Sequence, residues 1–85
     1  MEVIFTPEAL SHLTYWKELG NVTVQEKISA LLKSIRETPF SGIGKPEPLK
    51  GNLSGKWSRR INREHRIIYR VESGKINVYS LKGHY

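Results

Sequence analysis

The sequence predicts an α+β domain: two N-terminal helices packed on one face of a small antiparallel β-sheet, in the order β-α-α-β-β-β. Three observations carry this. Residues 24–35 hold an apolar stripe at helical spacing, residues 57–81 hold runs of period-two alternation, and residues 41–55 between them are dense in glycine and proline. At 85 residues there is room for a single small core, so 1–85 is read as one domain.

Glu2 to Phe5, rich in Val, Ile and Phe, reads as a short strand. Thr6 followed by Pro7 is a helix start, a hydroxyl N-cap with proline in the first turn. That helix runs to about Leu19 with Leu10, Leu13 and Trp16 on one face, and Gly20-Asn21 ends it. Thr23 caps a second helix, with Glu26 completing a capping box. Its apolar face is Val24, Ile28, Leu31, Leu32 and Ile35, and Pro39 closes it. Ser41 to Gly55 reads as a loop with a short extended piece at Leu49. Trp57 to Ile61 then alternates, with Trp57, Arg59 and Ile61 opposite Ser58 and Arg60. His65 to Val71 sets Ile67, Tyr69 and Val71 against Arg66, Ile68 and Arg70. Ser73-Gly74 turns the chain into a last strand, Lys75 to Leu81.

Composition narrows the chemistry. Cysteine and aspartate are absent and the three His are scattered, so neither disulfides nor a bound metal is expected, and no cofactor is implied. No apolar stretch approaches the roughly 20 residues of a membrane span, and Met1 to Phe5 shows no secretory pattern, so a cytoplasmic setting is expected. The net charge of +6 is unevenly spread. Residues 1–40 carry four Lys and Arg against five Glu, whereas residues 41–85 carry ten against three. A basic face on one half of a small domain fits nucleic acid first, then an anionic membrane or an acidic protein.

Three features carry chemistry. "KPEPLK", residues 45–50, holds Glu47 between two ring-locked residues, either as a solvated charge on a stiff linker or as a positioned general base. Arg59, Arg60, Arg63, His65 and Arg66 fall on two neighbouring strands, either as a solvated basic face or as an outward patch suited to phosphate. His84 lies three residues past the last strand, where a penultimate residue ordinarily frays but a histidine can donate a proton near neutral pH. Cleaving RNA without metal needs a base for the 2′-hydroxyl, an acid for the 5′-oxygen and cations for the crowded phosphate, and the chain holds a candidate of the right type for each.

The run "TPFSGIGKPEPLKGNLSGKWSRRINREHRIIYRV" with the terminal "HY" resembles the YoeB/Txe family of bacterial toxins, within the RelE-like superfamily. The resemblance spans the chain and is most specific from Thr38 to Tyr69, where "KPEPLK", "LSG-WSRRI" and "EHR--Y" fall in family order. It implies the RelE-like fold and a bacterial type II toxin–antitoxin system. It also implies a metal-independent messenger RNA interferase that acts in the ribosomal A site and leaves a 2′,3′-cyclic phosphate. The implied partners are a YefM-like cognate antitoxin, the 70S ribosome with its message, a second copy of the chain as a homodimer, and operator DNA only through the antitoxin. Carried over by position, the general base falls on Glu47, the transition-state cation on Arg66 and the general acid on His84. Supporting RNA or ribosome contacts fall on Lys50, Arg60 and Tyr85, to which the strand pattern adds Arg59. Gly83 stands where some relatives carry a larger residue, which implies a looser tail. The competing reading is a non-catalytic basic module that binds RNA or the antitoxin and acts on DNA as a corepressor.

Overall fold

Thr6 sits where strand β1 (Glu2–Phe5) becomes helix α1 (Pro7–Leu19). Its backbone is extended (ψ 162°) and its Oγ1 accepts the Ala9 N–H at 3.1 Å, satisfying one of the orphan donors of the first turn. The computed structural model describes residues 1–83; His84 and Tyr85 lie outside the described residues. Helix α1 turns Ala9, Leu13 and Trp16 inward, an i, i+4, i+7 set, while Leu10 is 51% exposed and does not belong to the core as expected. Helix α2 (Val22–Glu37) is capped by Asn21 rather than Thr23: the Asn21 Oδ1 accepts the Val24 N–H at 3.1 Å. The left-handed Gly20 reverses the chain so sharply that Asn21 already stands at the new helix start. Its stripe is as expected, with Val24, Ile28, Leu31 and Ile35 buried and Leu32 packed beside them.

The remaining strands are β2 (Glu47–Pro48), β3 (Trp57–Arg60), β4 (Arg66–Glu72) and β5 (Lys75–Ser80), arranged in one sheet in the order β1-β5-β4-β3-β2. Pairing is antiparallel from β2 to β5, but β1 joins β5 in parallel, Val3 opposite Ile76, so the sheet is mixed. The connection between these parallel neighbours is the whole intervening chain, both helices and the strands β2 to β4. The two-residue β2 is an added element at the opposite edge, one position earlier than the extended piece expected at Leu49.

Register decides which residues share a face. Trp57 lies opposite Tyr69 and Arg59 opposite Ile67, and this set faces the helices, where Ile67, Tyr69, Ile76, Val78, Leu31 and Ile35 are fully buried. Arg59 is therefore a core residue, 0% exposed. Its Nε donates to the Tyr69 hydroxyl at 3.1 Å, Nη1 to Ser34 Oγ (2.8 Å) and Ile43 O (3.1 Å), and Nη2 to Thr38 O (2.6 Å) and Ser41 O (2.7 Å). A guanidinium has five N–H donors, and all are used. This corrects the expectation that Arg59 meets RNA: it has neither exposure nor a spare donor, and instead holds the loop after α2 against the sheet. Tyr69 completes the hub by donating to Pro39 O at 2.6 Å, and burial raises its pKa above the ordinary phenol value while the Arg59 contact opposes the rise.

Candidate functional site

The face of the sheet away from the helices carries Glu47, Ser58, Arg60 and Arg66. Glu47 pairs with Ser58, and Arg60 pairs with Arg66, so in two-residue alternation all four project to one side. The neighbouring strands stand about 4.8 Å apart, which puts β2 and β4 on the order of 10 Å apart across β3. That gap suits a phosphodiester between a carboxylate and a guanidinium.

Glu47 reaches this place through local sequence. Pro46 and Pro48 set their own φ and extend the residues before them. Pro48 has no N–H to offer, which suits an edge strand. Leu49, buried at 6% exposure, donates its N–H to Lys56 O at 2.9 Å and anchors the segment from its far side. Glu47 itself stays exposed. It lines a cavity of about 350 Å³ together with Lys50 and Leu53.

A second cavity, about 430 Å³, is lined by Lys27, Lys45, Arg60, Arg63 and Arg66, with Asn62 at its wall and no carboxylate. Among the described residues the one ion pair is Arg70–Glu72, Nε to Oε2 at 3.6 Å, so these five cations have no acidic partner. The Nη1 of Arg66 is buried and has no hydrogen-bond partner among the described residues. Converging unneutralised cations attract an anion with several oxygens. Lys27 and Lys45 enter the cavity from α2 and from the loop, which a linear reading does not reveal; Lys45 is held there at φ 52°, a rare conformation for a side-chain-bearing residue.

The two described His, His12 and His65, each accept a backbone N–H of the chain's last segment. His65, grouped with the outward cations, turns inward. Its ring meets Trp16 edge to face at 4.8 Å, and its Nδ1 accepts the Gly83 N–H at 2.8 Å. His12 accepts the Leu81 N–H on Nδ1 at 3.0 Å, and its pKa lies below the usual 6.5, chiefly from burial; Glu8 opposes that shift and Lys82 adds to it. Gly83 is held at both polar groups, because the Arg66 N–H donates to its carbonyl at 3.0 Å, so the tail up to that residue is tied down rather than loose. The candidate acid His84 and the candidate contact residue Tyr85 lie outside the described residues.

Among the described residues no helix is long and apolar enough to cross a membrane. The family model described as a YoeB-like toxin of bacterial type II toxin–antitoxin systems matches residues 5–85. Toxin YoeB of Escherichia coli K12 is 46% identical over 85 residues, covering all of both chains. The solved YoeB/ParE toxin from Agrobacterium tumefaciens superposes with a TM-score of 0.95 at 41% identity, again over both full chains. From Staphylococcus aureus, YoeB in a dimer and in a heterotetrameric complex with YefM superposes at 0.91 and 43% identity, covering 100% of this chain and 98% of the other. Helices, mixed sheet and family match agree with the RelE-like architecture that the resemblance implied, and the chain belongs to the YoeB-like toxins of bacterial type II toxin–antitoxin systems.

Proposed function

We propose that the chain is an endoribonuclease that cleaves messenger RNA in the ribosomal A site of its bacterial host. Glu47 removes the 2′-hydroxyl proton, and the oxygen attacks the adjacent phosphorus. The bond to the 5′-oxygen breaks, leaving a 2′,3′-cyclic phosphate, and His84 supplies the proton that the departing oxygen takes up. Arg66 faces the charge that builds on the phosphate oxygens, with Arg60 beside it across the strand pair. Lys50 and Tyr85 contact the RNA or ribosome. No step needs a metal, because base, cation and acid are all side chains. The observation that carries the reading is that Glu47, Arg60 and Arg66 share the sheet face away from the helices, where Arg60 and Arg66 also line a cavity of unneutralised cations.

A YefM-like antitoxin with an acidic segment is the expected inhibitor, since the positive excess lies after residue 40. A second copy of the chain and operator DNA, reached only through that antitoxin, complete the partners.

The test is single-turnover cleavage of a message programmed into ribosomes, with chelator present, mapping the new 5′ ends. The parent should cut within the A-site codon. Glu47→Gln keeps size and hydrogen bonding but removes the base, so it should slow cleavage by about 10²–10⁴ without loss of folding. Undiminished cleavage by Glu47→Gln removes the base assignment. A parent that cuts nothing leaves the non-catalytic RNA- or antitoxin-binding module in its place.

A further inference from the structure

The last regular strand ends at Ser80, yet Leu81 and Gly83 beyond it are each held at both backbone polar groups. The Leu81 N–H goes to His12 Nδ1 at 3.0 Å and the Leu81 carbonyl accepts from Trp16 Nε1 at 2.9 Å. The Gly83 N–H goes to His65 Nδ1 at 2.8 Å and the Gly83 carbonyl accepts from the Arg66 N–H at 3.0 Å. Adjacent residues, His65 and Arg66, thus grip both polar groups of one glycine. Gly83 adopts φ 83°, while a Cβ built there would meet nothing within 4 Å. Backbone conformation, and not space, calls for glycine at this position.

We propose that His65 is a positioning residue for His84: by accepting the Gly83 N–H it sets the direction in which the chain leaves the sheet, one peptide before that residue. This rests on the reading of His84 as general acid. The clamp also ties Gly83 to Arg66, the proposed transition-state cation, through the Arg66 N–H. An imidazole that accepts on Nδ1 carries its single proton on Nε2, so His65 works here as a neutral acceptor. Trp16 holds the ring by its edge contact while its own N–H is spent on Leu81, which makes α1 the backing of the clamp. A terminus without such ties frays, and a misplacement of about 1 Å at a reacting group costs on the order of 10²-fold in rate.

Two variants separate positioning from scaffolding. His65→Asn places an acceptor oxygen near the Nδ1 position, whereas His65→Phe keeps the ring on Trp16 and removes the acceptor. Each is compared with the parent on ribosome-bound messages carrying the ordinary 5′-oxygen, or sulfur in its place, at the cleaved bond. Sulfur leaves without needing a proton, so it bypasses the acid. His65→Asn should cleave the oxygen message within a few-fold of the parent. His65→Phe should be about 10²-fold slower on oxygen and close to the parent on sulfur. Its Gly83 amide should also exchange with solvent faster than in the parent or in His65→Asn. Equal losses of His65→Phe on both substrates would reduce His65 to scaffold, and no loss on oxygen would overturn the proposal outright. So would a parent whose His65, by nitrogen NMR, carries its proton on Nδ1, a measurement that needs no variant to fold. His84→Gln keeps the two readings apart. If it is as fast as the parent on oxygen, the acid assignment fails; if it is slow while His65→Phe is not, the acid stands and only the role of His65 falls.

Discussion

Arg59 and Arg60 are neighbours of identical chemistry with opposite fates. Arg59 spends all five N–H groups on internal oxygens, while Arg60 is exposed beside Arg66. Replacing Arg59 by Met strands several acceptors and should destabilise the fold on the order of 3 kcal/mol or more. For a domain of this size that is a fall of about 12 °C or more in melting temperature. Arg60→Gln should leave melting within a few degrees and weaken RNA binding instead. Thermal unfolding of both variants checks this, and a stable Arg59→Met protein would contradict the hub. His12 makes a second prediction at this scale. Its folded pKa is depressed, so the unfolded chain takes up its proton first as pH falls through about 6.5. The neutral ring's contribution is therefore complete above that pH and is lost progressively below it, with the Leu81 N–H left facing an imidazolium. Denaturant unfolding between pH 7.5 and pH 5 should show a steeper stability loss for the parent than for His12→Asn, and parallel curves would exclude His12 as the cause.

At the scale of the element, β2 is the part least able to stand alone. Two residues pair with β3, and the strand stays put because prolines stiffen it and Leu49 is anchored beside it. Pro46→Ala leaves those pairings available and frees the backbone of the unfolded chain, so the stability loss should be small, about 0.4–1 kcal/mol. Cleavage should fall much further, up to about 10²-fold, because Glu47 would no longer be held. Measuring rate and unfolding on the same preparation tells the two apart: a rate that merely tracks stability would make the prolines structural. Gly44 supports the same edge from within. Its carbonyl accepts the Arg60 N–H at 2.6 Å, and a Cβ there would come within 2.7 Å of the Leu31 side chain at a backbone φ of 83°. The loop is thus packed against α2 as closely as its atoms allow, which fixes where the following "KPEPLK" begins.

For the whole molecule the decisive property is the one-sided charge. The cavity cations come from α2, the loop, β3, the turn after it and β4, and none is neutralised by an acid among the described residues. Affinity for a single-stranded RNA made uncleavable by a 2′-deoxy residue should therefore fall steeply with salt. Each phosphate contact contributes a slope of roughly −0.7 in log–log form. Arg63→Gln should reduce that slope by about 0.7 and weaken binding uniformly across sequences. An unchanged slope would mean that Arg63 faces water and not phosphate.

Much of this was legible in the residues themselves. Thr6-Pro7, the 24–35 stripe, the Ser73-Gly74 turn and the two-proline frame of Glu47 act through bonds and contacts a few residues apart, so local sequence determines them. The alternation even put Arg59 on the side of Trp57 and Ile61, although its charge argued for solvent; only the loop carbonyls of Thr38, Ser41 and Ile43, brought over it by the fold, make a buried guanidinium tolerable. The parallel seat of β1, the pairing of Glu47 with Ser58, the gathering of Lys27 and Lys45 beside Arg66, and the grip of His12, Trp16 and His65 on the tail all join segments distant in the chain. Such contacts have no local period or propensity to announce them. They follow from strand register and helix packing, which the tertiary structure alone decides.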